Sequence, residues 1–184
     1  MRTTTRPYLA LLRGINVGGK NLVRMDELRR CFEELGLWAV STYIQSGNVL
    51  FRSAASIPEL VGRIEPRLTS RFSYTARVVV LSYDDYRACL AAAPDSWGRD
   101  ESWKHNALYT LPEVDARDLL ALLPAPRPEL ETVTAAPGAL FWSASKQHLA
   151  RTTMMKLAGL PAYKSVTIRN HNTTFKLLKL LEEL

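Results

Sequence analysis

Apolar positions recur along the chain at two spacings, and the spacing assigns the elements. YLALLR (8–13) is a short apolar run ahead of a glycine turn and predicts a buried strand. In MDELRRCFEELG (25–36), Met25, Leu28, Phe32 and Leu35 return at three- and four-residue steps. Acids open that stretch and Gly36 closes it, so it predicts a helix. VSTYI (40–44) and VLFRS (49–53) read as strands joined by the polar tip Gln45-Ser46-Gly47-Asn48. Ser56 caps a second helix reaching about Phe72, with Ile57, Leu60, Val61, Ile64 and Leu68 on one face. Pro66 is a point of kinking or shortening within it. RVVVLS (77–82) is a buried strand, and DDYRACLAAA (84–93) is a short helix ending before Pro94.

PDSWGRDESW (94–103) is polar and aperiodic, and beyond it the order repeats. NALYTL (106–111) is a strand and VDARDLLALL (114–123) a helix. TVTAA (132–136) and ALFWSA (139–144) form a hairpin through Pro137-Gly138. LARTTMMKLAG (149–159) reads as helix, VTIRN (166–170) as strand and TTFKLLKLLEEL (173–184) as a closing helix. The predicted fold class is α+β: two tandem ferredoxin-like (βαββαβ) subdomains with antiparallel sheets. They span residues 1–94 and 106–184, with 95–105 as linker.

The chain's 184 residues are 47% apolar, enough for a sizeable core. No apolar stretch is long enough to span a bilayer. MRTTTRPYLALLRG has only a five-residue apolar run before Arg13, too short for a signal peptide. The expectation is a soluble cytoplasmic protein without a membrane partner. Cys31 and Cys89 stand singly, and His105, His148 and His171 are scattered, so no metal site is expected. Both cysteines read as buried reduced thiols. No cofactor motif stands out. The net charge is +6, and its excess lies in the first thirty and last forty residues. Such ends could make one surface attractive to phosphates, but no basic run exceeds two residues, as in many ordinary proteins.

GINVGGKN (14–21) is one residue short of the phosphate-binding loop Gly-x-x-x-x-Gly-Lys-Ser/Thr. Asn21 replaces the magnesium-binding hydroxyl, and the helix signal starts near Met25 rather than at the lysine. That reading is rejected. YLALLRGINVGGKN, MDELR, ELG, TYIQSGNVLF and, near the C-terminus, TIRNHNT with KLL resemble the bacterial family called domain of unknown function 1697. The resemblance covers almost the whole chain and is strongest over 8–52 and 167–178. It implies a tandem ferredoxin-like α+β fold and carries no established activity. One position departs: His171 stands where the family more often has Trp, which would weaken stacking on a ligand there.

Topology adds a site. In a βαββαβ unit, strands one and two run parallel with strand three between them, so their C-terminal ends share one edge. Those ends are the 13–21 loop and the 45–48 tip. Together they offer Arg13, Asn16, Lys20, Asn21, Gln45, Ser46 and Asn48, plus the amides of Gly18 and Gly19. Arg13 supplies a fork for phosphate or carboxylate. Turn chemistry accounts for the same residues, since Asn and Gly are the standard turn formers. A second cluster is Arg169, Asn170 and Asn172, ahead of the closing helix. It reads either as an anion site at a helix N-terminus or as a cap by Asn172 or Thr173, with Arg169 facing outward on an edge strand.

Catalytic constellations are poor. No Ser-His-Asp elbow occurs, and Asp84-Asp85 is explained by the helix dipole. Tyr8, Tyr43 and the four tryptophans read as packing residues. The expected function is binding of a phosphate-bearing ligand, a nucleotide or nucleic acid, at the loop and tip. The alternatives are an enzyme acting on a small polar or anionic substrate, and a non-catalytic interaction or scaffold protein.

Overall fold

The computed structural model describes residues 5–184. The first four residues, part of the stretch read for a signal peptide, lie outside the described residues. The chain divides into two compact units. Unit 1 takes the chain up to Arg87 together with Leu177–Leu184, and unit 2 takes Ala88–Lys176.

Unit 1 runs β1 (Arg6–Leu12), α1 (Met25–Glu34), β2 (Trp38–Tyr43), β3 (Asn48–Ser53), α2 (Ile57–Phe72) and β4 (Val78–Ser82). Its four strands are ordered β2-β3-β1-β4, each neighbouring pair antiparallel. Because β1 and β2 both run against β3, they point the same way and end at one edge. Alternation sorts their side chains. Tyr8, Ala10 and Leu12 of β1 join Val49 and Phe51 of β3 and Val78 and Val80 of β4 in one core. Helix α1 adds Leu28, Cys31 and Phe32, and α2 adds Leu60, Ile64 and Leu68. Burying those three α2 side chains contributes roughly 1.5–3 kcal/mol each. Helix α2 therefore continues through Pro66 to Phe72 against a proline cost of about 3 kcal/mol. Glu59 closes its first turn by accepting from the Ser56 amide at 2.8 Å and hydroxyl at 2.7 Å.

After α3 (Tyr83–Ala91), unit 2 runs β5 (Trp103–Thr110), α4 (Ala116–Leu122), β6 (Glu131–Ala136), β7 (Ala139–Ser145) and β8 (Val166–Asn170). Its sheet order is β6-β7-β5-β8, again antiparallel throughout. Strand β5 begins earlier than its apolar run, because polar Trp103–His105 pair in register with Ser143–Ser145. Asp115 caps α4, accepting from the Arg117 amide at 2.7 Å.

Two expected helices differ. Residues 149–159 do not form one helix. The segment is a 3-10 turn (Leu149–Arg151), a single-turn α5 (Thr153–Lys156) and two further 3-10 turns (Leu157–Gly159, Pro161–Ser165). The Thr152 hydroxyl donates to the Leu149 carbonyl at 2.6 Å, a local bond that competes with the helical ladder. The buried Glu131 carboxylate then accepts from the Thr153 and Met154 amides and restarts the winding there. The closing helix α6 (His171–Glu182) begins earlier than Thr173. Its cap is Asn170, whose Oδ1 accepts from the Thr173 amide at 2.8 Å, rather than Asn172 or Thr173. Among the described residues, no helix is long and apolar enough to cross a membrane, and no three His, Cys, Asp or Glu cluster as metal ligands would.

Candidate functional site

The glycine-rich loop after β1 folds into a small hairpin of its own. The Lys20 amide donates to the Val17 carbonyl and the Asn16 amide to Asn21, both at 3.1 Å. Gly18 and Gly19, the two central residues, take φ of +57° and +74°. That is a type I′ turn, which requires positive φ at both central positions. Asn16 and Asn21 flank it at φ +53° and +49°, a region asparagine tolerates. Winding starts at Met25, five residues after Lys20, so the loop does not present a helix N-terminus as a phosphate-binding loop must.

The loop and the β2–β3 tip meet at the edge where β1 and β2 end. The Leu12 amide donates to the Gly47 carbonyl at 2.8 Å. Asn16 makes the second tie: its Nδ2 donates to the Gln45 carbonyl at 2.8 Å and to the Val23 carbonyl at 2.9 Å. Its Oδ1 accepts from the Val23 amide at 2.8 Å. Asn21 donates to the Gly14 carbonyl at 2.8 Å. Asn48 is fully buried and donates to the Tyr43 carbonyl at 2.8 Å and the Ser46 hydroxyl at 3.0 Å. Asn16 thus ties the two bends together, while Asn21 closes the first bend on itself and Asn48 with Ser46 closes the second. Gly47 is required by contact as well as by its φ of +73°: a Cβ there would lie 2.6 Å from Ile15 Cδ1 and 2.8 Å from Leu12 Cβ.

A cleft of about 490 Å³ opens beside this junction, lined in part by Asn16, Arg24, Asp26 and Gln45. Lys20 and Gln45 are exposed, and Arg13 is half-buried. Among the described residues, the exposed amides of Gly18 and Gly19 meet no hydrogen-bond acceptor. The cleft's acid, Asp26, pairs with Arg24 at 3.1 Å. That hydrogen bond holds its carboxyl below the usual carboxylate range, so Asp26 is a poor general base.

The second expected cluster lies in unit 2 and divides into different roles. Arg169 does not face outward: it is 6% exposed. Its guanidinium donates to the Thr167 hydroxyl at 2.9 Å and the Ile168 carbonyl at 2.7 Å. Asn170 caps α6, and Asn172 is exposed.

Unit 2 also holds two arrangements that the sequence pattern did not suggest. His105 donates through Nε2–H to the Asp100 carbonyl at 2.9 Å. In the neutral ring, with that proton on Nε2, Nδ1 accepts from the Ser143 hydroxyl at 2.8 Å. Among the described residues, no carboxylate completes that couple. Trp97 packs edge-on against Phe141 at 4.9 Å between ring centres, and on His105 and His171 near 6 Å. Burial and His105 depress the His171 pKa. The second arrangement is a cleft of about 460 Å³ over β5 and β8, with Lys104, Asn106 and Asn170 among its walls. Its signal in the sequence was faint: two polar residues at i and i+2 entering an apolar strand.

No curated protein matches the chain. Among solved structures, a conserved bacterial protein from Streptococcus pneumoniae is 33% identical, at a TM-score of 0.88, with 97% of this chain and 99% of that one covered. A family model described as "Protein of unknown function (DUF1697)" matches residues 5–141, and the chain belongs to that family.

Proposed function

We propose that the chain binds a phosphate-bearing ligand, a nucleotide or nucleic acid, at the edge made by residues 13–21 and 45–48. One observation carries this reading. The two bends close on each other through Asn16 and Gly47 and leave Lys20 and two consecutive amides exposed on the loop, while a cleft of about 490 Å³ opens where Asn16 meets Gln45. A cation next to unengaged N–H groups is the chemistry that holds a phosphate oxygen. The cleft falls in the size range of small-molecule sites. Element order and strand order support a ferredoxin-like identity for each unit, and a cytoplasmic setting suits two free buried cysteines.

The test is a mobility and thermal-shift titration with nucleoside phosphates and single-stranded oligonucleotides at low salt. Binding should weaken as salt rises, and Lys20→Ala should lower the salt slope by about one. Absence of any shift, or a Lys20→Ala variant indistinguishable from the parent, removes the proposal. Catalysis at this edge has less support, because Asp26 is held by Arg24.

A further inference from the structure

We infer that unit 2 carries a separate binding site for a small amphipathic carboxylate, in the cleft between the β5–β8 face and the turns of 149–165. In unit 1, the segment between the third and fourth strands is the sixteen-residue helix α2. In unit 2 its counterpart is a four-residue helix among 3-10 turns. That irregular wall leaves a cleft of about 460 Å³, within the range of small-ligand pockets.

The strand register sorts the cleft into two ends. Asn106 of β5 lies opposite Asn170 of β8, and Leu108 lies opposite Ile168. Lys104 shares the Asn106 side of β5, two residues away. The polar end is therefore Lys104, Asn106 and Asn170. The apolar end is Leu108 and Ile168, walled by Met154 and Leu157. Methionine adapts to irregular apolar shapes.

The polar end is poorly satisfied from within. Asn106 is 9% exposed. Its Nδ2 reaches only the Met154 sulfur, at 3.6 Å, and thioether sulfur is a weak acceptor. Among the described residues, its Oδ1 has no hydrogen bond. The amide oxygen therefore opens onto the cleft and is available to a ligand there. Asn170 uses Oδ1 to cap α6, and no bond from its Nδ2 occurs among the described residues. Lys104 is exposed and makes no ion pair among the described residues. Two amide donors and one ammonium at the mouth of an apolar slot select a carboxylate with an apolar body.

The experiment is an NMR titration of the full ¹⁵N-labelled chain with octanoate, octanol and octylamine. Octanoate should give saturable shifts at Lys104, Asn106 and Asn170 and leave the 13–21 loop unmoved. Octanol and octylamine should bind at least about tenfold more weakly. Lys104→Ala, at an exposed position, should weaken octanoate by about tenfold or more. Asn106→Leu should lose octanoate while raising the melting temperature, because function and not packing keeps an ill-satisfied amide there. Octanol binding as well as octanoate, no saturable shift in the cleft, or Lys104→Ala within about twofold of the parent overturns the inference. If Asn106→Leu melts below the parent, Asn106 is structural and the inference fails on that arm too.

Discussion

Replacing Glu131 by Gln changes one atom in a fully buried side chain and should cost about as much as truncating a core side chain. Four donors converge on this carboxylate. The Thr153 amide lies 2.8 Å and the Arg127 amide 3.3 Å from Oε1. The Trp142 indole N–H lies 3.0 Å and the Met154 amide 3.2 Å from Oε2. A glutamine keeps one oxygen and turns its NH₂ toward two of those four donors, whichever way it is flipped. Two N–H groups lose their acceptor, at least one of them buried, and a buried one costs about 1–3 kcal/mol. The expected loss is about 1–6 kcal/mol, against a typical stability of about 5–15 kcal/mol. Urea unfolding followed by tryptophan fluorescence reads it, since Trp142 is itself buried. Acid titration supplies an independent reading. Burial pushes this carboxyl up, but the amides of Thr153, Arg127 and Met154 outweigh it and hold the pKa below the ordinary 4.5. The stability it contributes is then fully present above 4.5 and lost as pH falls through the lower folded value. The Gln variant should lack that share of the acid dependence. A loss under about 1 kcal/mol, with the acid limb unchanged, refutes the argument that these bonds anchor the segment.

Three other outcomes are expected. Gly47→Ala should destabilise by about 2–5 kcal/mol, from left-handed strain of about 1–2 and overpacking of about 1–3; a urea midpoint equal to the parent's would contradict the contact distances. Tyr74→Phe should leave the melting temperature unchanged or raised, because the hydroxyl is buried without a hydrogen bond among the described residues. Burial pushes the Tyr74 hydroxyl from 10.0 up to about 12, so its share of stability is full below 10.0 and lost as pH rises through about 12. The Phe variant should therefore lose less stability than the parent across that alkaline window, and equal losses would contradict this. Burial likewise raises Cys31 and pushes the Cys89 thiol up to about 12. Thiol labelling at neutral pH should proceed only through opening and accelerate with urea; fast labelling of the native chain would place those thiols elsewhere.

Helix α2 was legible because its own residues suffice: an apolar stripe, a Ser56–Glu59 opening and nothing that must be borrowed from afar. The 149–165 wall was not, because what restarts its winding after the break at Thr152 is a glutamate some twenty residues upstream whose carboxylate captures two amides. No local window contains that partner. The meeting of the 13–21 loop with the 45–48 tip followed from strand direction alone. How each asparagine is used there did not, since composition cannot tell a side chain that bridges bends from one that awaits a ligand. Arg169 was misplaced for a related reason: a charged residue near a strand end reads as solvated, whereas here neighbouring backbone and hydroxyl oxygens receive its donors.

The uneven winding between β7 and β8 has a mechanical consequence. A long helix resists bending as a rod and must move whole, whereas short turns linked by extended residues can yield one at a time. The second unit can therefore widen one flank by a local rearrangement while every ladder of its sheet stays closed. In hydrogen exchange, the amides of 149–165 should lose protection first and independently of β5, β7 and β8.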